Sequence, residues 1–375
     1  MTGVVQDPGS YREAMEAAAQ IVDFAQFRAR QQTARADGRW LGLGMSVFAE
    51  RTGPGTPAFA ARRMVINPGF ERVELAMDPS GFLEARIGSS PHGQGLKTTL
   101  AQLIADEIGI APKEIRVVAG DTDRSPYGWG TFASRSLVIA GGACKLAAAT
   151  LRERLQAAAG QMLEADASDI EIGDGRAFVR GTDLGVQVRQ LARAAYHQSH
   201  RFPAIAETGL SAVATYDPYG TFSNACHVAI VAVDIATGQV EIERFVVVED
   251  AGRLINPMIV EGQIHGGVAQ GIANALCEKV VYDDDGNILT GSLADYLVPT
   301  MAEIPGLEIH HMETLTEASV TGAKGVGEGG TIGAPAAILN AVSDALARFG
   351  VGIFEMPITP QRILQLLREA GCEAQ

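Results

Sequence analysis

Apolar side chains at Tyr11, Met15, Ala18, Ile21, Val22 and Phe27 recur at helical spacing between charged positions, which predicts one helix over Asp7–Asp37 leading into the chain. The period then changes. Leu41–Phe48 and Val73–Ala76 alternate as strands, and Thr52-Gly-Pro-Gly-Thr56 between them is kept irregular by its Pro and Gly. A strand at Phe82–Ile87, a glycine loop, a helix over Leu96–Ile108 and a strand at Ile115–Val118 follow. Leu137–Leu163 is Ala-rich with Leu146, Leu151, Leu155 and Met162 on one side, so a buried helix is expected, interrupted near Gly160.

The second half carries stronger punctuation. Asp174-Gly175 suits a two-residue turn in a hairpin over Ile170–Val179, and Ala-Thr-Gly-Gln joins Cys226–Ile235 to Val240–Val248 in another. Asn256-Pro257 opens a helix to about Glu278, with Asn as cap and Pro in the first turn. Asp283-Asp-Asp-Gly286 turns the chain. Ala334-Pro335 is expected to start a last helix that runs to Phe349 and stops at Gly350.

The 375 residues are 47% apolar and 20% charged, enough to bury a large core, so a disordered or collagen-like chain is excluded. With 30 basic and 44 acidic residues the net charge is −14, which repels phosphate backbones and anionic lipid, so no nucleic-acid and no membrane partner is expected. No apolar run approaches the ~20 residues of a membrane span, and Met1–Tyr11 lacks a leader pattern, so a cytoplasmic location is expected. Cys144, Cys226, Cys277 and Cys372 form no C-x-x-C pair, and any iron–sulfur or zinc centre is expected on another polypeptide.

Glycine is the informative residue: 43 of 375, against the ~7% of average usage. It gathers in Gly88–Gly95, Tyr127–Ser136, Glu261–Gly271 and Thr321–Gly330, each in or just before a predicted helix. A helix start offers free N–H groups, and glycine lets an anion or a bulky cofactor reach the backbone. One such run reads most simply as a tight turn. Four of them, with Gln94, Ser134, Arg135, Ser136, Gln270, Lys324 and Glu328 in or beside them, fit a large polyanionic cofactor. Gly325-Val-Gly-Glu-Gly-Gly330 matches the dinucleotide pattern G-x-G-x-x-G formally, but no strand precedes it. His197, His200, His310 and His311 lack a third ligand at metal spacing, and no metal-ligating residue is assigned. Glu328, flanked by Gly327, Gly329 and Gly330, has no neighbouring side chains to pack against. It reads either as an exposed loop acid or as a partly desolvated general base.

Five ordered strings carry a resemblance: Pro91–Thr99, Gly120–Ser136, Ile255–Gly271, Asp295–Thr300 and Gly322–Gly330. They resemble the C-terminal molybdenum-cofactor-binding region of the xanthine oxidase, or molybdenum hydroxylase, family, above all large subunits of the aerobic carbon monoxide dehydrogenase type. The resemblance implies an α+β fold of mixed sheets with packed helices, with residues 1–40 as a helical lead-in and 41–375 as a cofactor-binding domain of two closely packed lobes. It implies that Gly93, Gln94, Gly95, Thr131, Ser134, Arg135, Ser136 and Gln270, with the backbone of Lys324, Gly325, Val326 and Gly327, bind molybdopterin cytosine dinucleotide carrying molybdenum. Glu328 matches the family's catalytic glutamate, which takes a proton at the molybdenum centre so that a water-derived oxygen attacks an electrophilic carbon.

The chain starts where the second half of such subunits starts, so the resemblance also implies partners. These are a polypeptide supplying the N-terminal molybdopterin-binding half, a 2Fe-2S small subunit and an FAD medium subunit, with a small molecule as substrate. The alternative is a non-catalytic, metal-free half-domain that serves in assembly or as a scaffold.

Overall fold

The structure, a computed structural model, describes residues 4–64, 68–202 and 209–372. Its N-terminal segment forms two helices, α1 (Tyr11–Ile21) and α2 (Phe24–Ala36), in place of the single helix expected. Asp23 explains the break: it adopts φ +44° and its carboxylate caps α2 by accepting from Gln26 N at 3.1 Å. Both helices lie on a sheet ordered β1 (Trp40–Thr52), β9 (Thr221–Val233), β10 (Val240–Asp250) and β11 (Leu307–Met312), antiparallel except for the β10–β11 pair. The other face of this sheet is covered by α7 (Pro257–Leu276), α8 (Gly329–Leu346) and α9 (Pro360–Glu369).

A second sheet has the order β4 (Ile115–Val118), β3 (Leu83–Ile87), β2 (Glu71–Met77) and β8 (Ser211–Tyr216). The helices α4 (Leu96–Ile108) and α5 (Ser136–Leu163) pack on it. Around α5 also sit α6 (Val188–His197) and a small sheet of β5 (Ile170–Gly173), β6 (Arg176–Val179) and β7 (Gly185–Gln187). The β5–β6 turn is the expected one, with Asp174 and Gly175 at φ +51° and +72°. A short helix, α3 (Thr56–Ala61), follows the Pro-Gly connector.

Two helices differ from expectation. α5 runs unbroken through Gly160, whose carbonyl accepts from the N–H groups of Glu164 and Ala165 at the helix end. α8 begins at Gly329, not at Ala334-Pro335, and holds Pro335 inside it. The reason is close packing: a Cβ on Gly330 would lie 2.7 Å from Ile264 O and Val268 N of α7, so the glycines form the first turn of α8 against that helix. Among the described residues no helix is long and apolar enough to cross a membrane.

Candidate active site

Between the two sheets the N-terminal ends of α4, α5, α7 and α8 border one cavity of about 370 Å³, within the range of small-molecule sites. Asn256 caps α7 by accepting from Ile259 N at 3.1 Å. The other three helices receive no side-chain cap, so their first N–H groups and their positive ends are left for a ligand. Gly95 precedes α4 at φ +73°, where a Cβ would strike Ile259 at 2.7 Å, and Gly93 sits at φ +108°. Gln94 folds its Oε1 onto His92 N at 2.8 Å, and its Nε2 is buried without a partner. An orphan amide donor beside uncapped helix starts suits an anionic pterin nucleotide.

The loop before α5 is the most constrained part of the wall. Ala133 and Ser134 are consecutive non-glycine residues at φ +47° and +49°, a conformation that costs roughly 1–2 kcal/mol per residue. Gly53 N donates to Ala133 O at 3.0 Å, and Gly325 has no room for a Cβ, which would lie 2.3 Å from Ser134 O. This backbone aims the Ser134 hydroxyl at two carboxylates, Glu50 Oε1 at 2.7 Å and Glu328 Oε2 at 3.3 Å, while Glu328 N donates to Ser134 Oγ at 3.1 Å. Thr131 and Ser136 join hydroxyls at 2.7 Å, and Thr131 also donates to Ser90 O.

The structure gathers Gln94, Thr131, Ser134, Arg135, Ser136, Lys324, Gly325, Val326, Gly327 and Glu328 along the cavity. It places two of their side chains elsewhere. The Arg135 guanidinium is fully buried, donates to the carbonyls of Gly130, Gly69 and Phe70 and faces Glu71 at 3.9 Å, so Arg135 offers the cavity its backbone. Lys324 likewise turns its amine to Pro8 O at 2.5 Å and Asp250 Oδ1 at 3.8 Å. Gln270 is exposed and lies outside the cavity lining, accepting from Thr331 Oγ1 of the first turn of α8 at 3.3 Å. None of Asp295–Thr300 lines the cavity. Glu328 is exposed at the N-cap of α8. The desolvated acid is its neighbour Glu50, which burial, reinforced by the Glu328 carboxylate and opposed by the Ser134 hydroxyl, pushes up to about 8.

Glu50 was not singled out from sequence, nor were the lining residues Asn256, Ile259 and Gln263 of α7 as ligand contacts. Gln263 stands within the Glu261–Gly271 glycine run and could have been found there. Glu50 stands in a strand with no local marker.

Residues 17–305 match the molybdopterin cofactor-binding domain family, and the chain belongs to it. It is 43% identical over 365 residues to the nicotine 6-hydroxylase large subunit of Paenarthrobacter nicotinovorans, covering 97% of this chain and 45% of that protein. The carbon monoxide dehydrogenase large chain of Hydrogenophaga pseudoflava is 37% identical over 372 residues, covering 98% and 46%. Among solved structures, quinoline 2-oxidoreductase from Pseudomonas putida 86 superposes with a TM-score of 0.91 at 40% identity, covering 97% of this chain and 46% of that one. The chain thus spans about half the length of the relatives it matches. The fold is that of the molybdopterin-binding domains of the xanthine oxidase family, mixed sheets with packed helices.

Proposed function

We propose that this chain is the C-terminal cofactor-gripping half of the molybdenum-binding subunit of a hydroxylase, with molybdopterin cytosine dinucleotide as its cofactor. The observation that carries this is the convergence of three uncapped helix starts, an unpaired Gln94 amide and the Glu328 carboxylate on one cavity. The phosphates and ring edges would be held by the N–H groups at Gly95–Leu96 and Arg135–Ser136, by the Thr131 and Ser136 hydroxyls and by the Gly325–Gly327 backbone. Bound molybdenum supplies two-electron chemistry at an electrophilic carbon of a small molecule. Glu328, fixed through its N–H and its carboxylate to Ser134, is the base that accepts the proton released there. The other half of the cradle, a 2Fe-2S subunit and an FAD subunit would come from partner polypeptides in the cytoplasm.

Co-purification of the chain with such partners should bring molybdenum with it. Glu328→Gln should then lower turnover by roughly 10²–10⁴-fold with molybdenum retained. Full turnover in this variant, or loss of the metal together with activity, would remove the catalytic assignment.

A further inference from the structure

Behind Glu328 the sheet of β1, β9 and β10 changes character. Glu50 pairs across strands with Ser223, Glu249 with Ala225, and His227 with Ser46 and Val247. By alternation all of these share the face that, further along, buries Ala229, Val231, Phe245 and Val247 under α7 and α8. Polar groups therefore occupy the end of that face nearest the cavity. The helix above makes room for them with glycine: a Cβ on Gly329 would lie 2.8 Å from Glu249 Oε1, and one on Gly333, a turn later, 2.7 Å from the His227 ring. Both Glu249 oxygens and both His227 nitrogens are buried without a hydrogen-bond partner, and Glu50 Oε2 is buried and receives no donor.

Buried carboxyls lacking donors hold their protons. Burial above all, reinforced by the neighbouring Glu50 and Asp250 carboxyl groups, pushes Glu249 up to about 8, and burial pushes His227 down to about 3, so that both are neutral near pH 7. The groups facing Glu50 are Ser134 from the loop before α5, Glu328 from the start of α8, Ser223 from β9 and Glu249 from β10. The buried cations Lys324 and Arg135 are engaged elsewhere, Lys324 with Asp250 on the opposite face and Arg135 with Glu71.

We propose that Glu50 is a positioning residue for Glu328: a neutral carboxyl that shares one proton with the Glu328 carboxylate beside their common partner Ser134, so that the pair carries a single negative charge directed at the cavity. This rests on reading Glu328 as the base. The proton balance is simple. Glu50 keeps its O–H at neutral pH and directs it as a hydrogen bond to Glu328, and above about pH 8 that O–H is broken and the proton leaves to solvent, placing two carboxylates against one hydroxyl.

Infrared titration of the full chain tests this without turnover. In a Glu249→Gln background, which removes the other buried carboxyl of this face, a protonated-carboxyl band should be present at pH 7, fade around pH 8 and vanish in Glu50→Gln. If Glu50→Gln removes no such band at pH 7, the proposal is overturned, whatever the outcome for Glu328. In the loaded enzyme, Glu50→Ala should lower kcat by roughly 10–100-fold with molybdenum retained, the usual cost of losing an orienting partner. Glu50→Gln, nearly isosteric and always neutral, should retain more of that rate and abolish the alkaline decline in kcat that begins near pH 8. A Glu50→Gln profile parallel to wild type would leave Glu50 a structural acid only. Should Glu328→Gln keep full turnover while the band behaves as expected, the base assignment fails and the proton-sharing pair survives.

Discussion

Among the described residues two glutamates are fully buried, one on each large sheet, and they live by different rules. Glu71 of β2 accepts from Ser89 Oγ and Gly88 N, both at 2.6 Å, and faces the Arg135 guanidinium at 3.9 Å. Glu249 of β10 has no donor for either oxygen. The strands around them differ in the same way. β2 alternates buried and outward positions, whereas β9 has helices on both faces and is buried almost throughout. A polar side chain on β2 can turn to solvent or find a built partner, but one on the inner end of β9 or β10 is trapped. Such a group survives by staying neutral, and that is a resource only beside a site that moves protons.

The sharpest way to break this contrast is to remove the partner of Glu71. Arg135→Met should cost roughly 3–5 kcal/mol, because it strands a buried carboxylate and three carbonyl acceptors. Chemical denaturation should show this as a large fall in midpoint, and a loss under about 1 kcal/mol would mean that Glu71 is as self-sufficient as Glu249.

Glu249 should answer to pH instead. Its folded-state pKa is raised from 4.5 to about 8, so the native state holds a proton that the unfolded chain releases. The stability this contributes is complete below about pH 4.5 and is lost as pH rises through about 8. His227 acts in the opposite direction, its lowered pKa weakening the fold as pH falls below 6.5 toward 3, so the informative quantity is a difference between proteins. Glu249→Gln should match wild type near pH 5 and exceed it near pH 9 by on the order of a few kcal/mol in denaturant melts. Equal pH dependence in the two proteins would show that Glu249 has an unseen donor.

The same two-sided burial controls how closely α8 sits on the sheet. A Cβ at Gly44 of β1 would lie 2.0 Å from Ala337 O and 2.2 Å from Ala341 N, which are backbone atoms with nowhere to go. Gly44→Ala should therefore cost roughly 1–3 kcal/mol through overpacking. At Gly173, the end of β5, nothing lies within 4 Å of a Cβ, and Gly173→Ala should be neutral or stabilising by roughly 0.4–1 kcal/mol. Equal denaturation midpoints for the two variants would erase the difference in packing.

How much of this the sequence announced follows from where each signal is stored. α4 and the start of α7 were legible because their punctuation is local: Gly95 before one, Asn256-Pro257 at the head of the other. The first turn of α8 was not, since Pro335 looks like a helix start until the approach of α7 onto Gly330 is known. Cavity-lining residues in the glycine runs were legible, as Gln94, Ser134 and Glu328 lie where a chain bends for access. Arg135 sits in the same run, and only the fold shows that its charge points inward. Glu50, Glu249 and His227 were opaque because each belongs to a strand whose partners are far away in sequence, and on β9 and the end of β10 burial on both faces erases the alternation that would mark an inward polar residue as odd.

The mildest test concerns Glu84, the solvent-side counterpart of these acids on β3. Arg124 Nη2 reaches both of its oxygens at 2.8 and 2.7 Å and Arg86 Nε reaches one at 2.8 Å, so its carboxylate is held below the usual range, first by Arg86. Arg124 also anchors the loop that continues to Thr131 and Ser134, which makes it tempting to credit the pair with shaping the cavity. Its exposure argues otherwise, because water screens the pair and salt weakens it further. A double-mutant cycle on Arg124→Ala and Glu84→Ala should give a coupling of roughly 0.5–1 kcal/mol at low salt, shrinking as salt is added. A coupling above about 2 kcal/mol that resists salt would mean the rim of the cavity, and not only its buried floor, is held by charge.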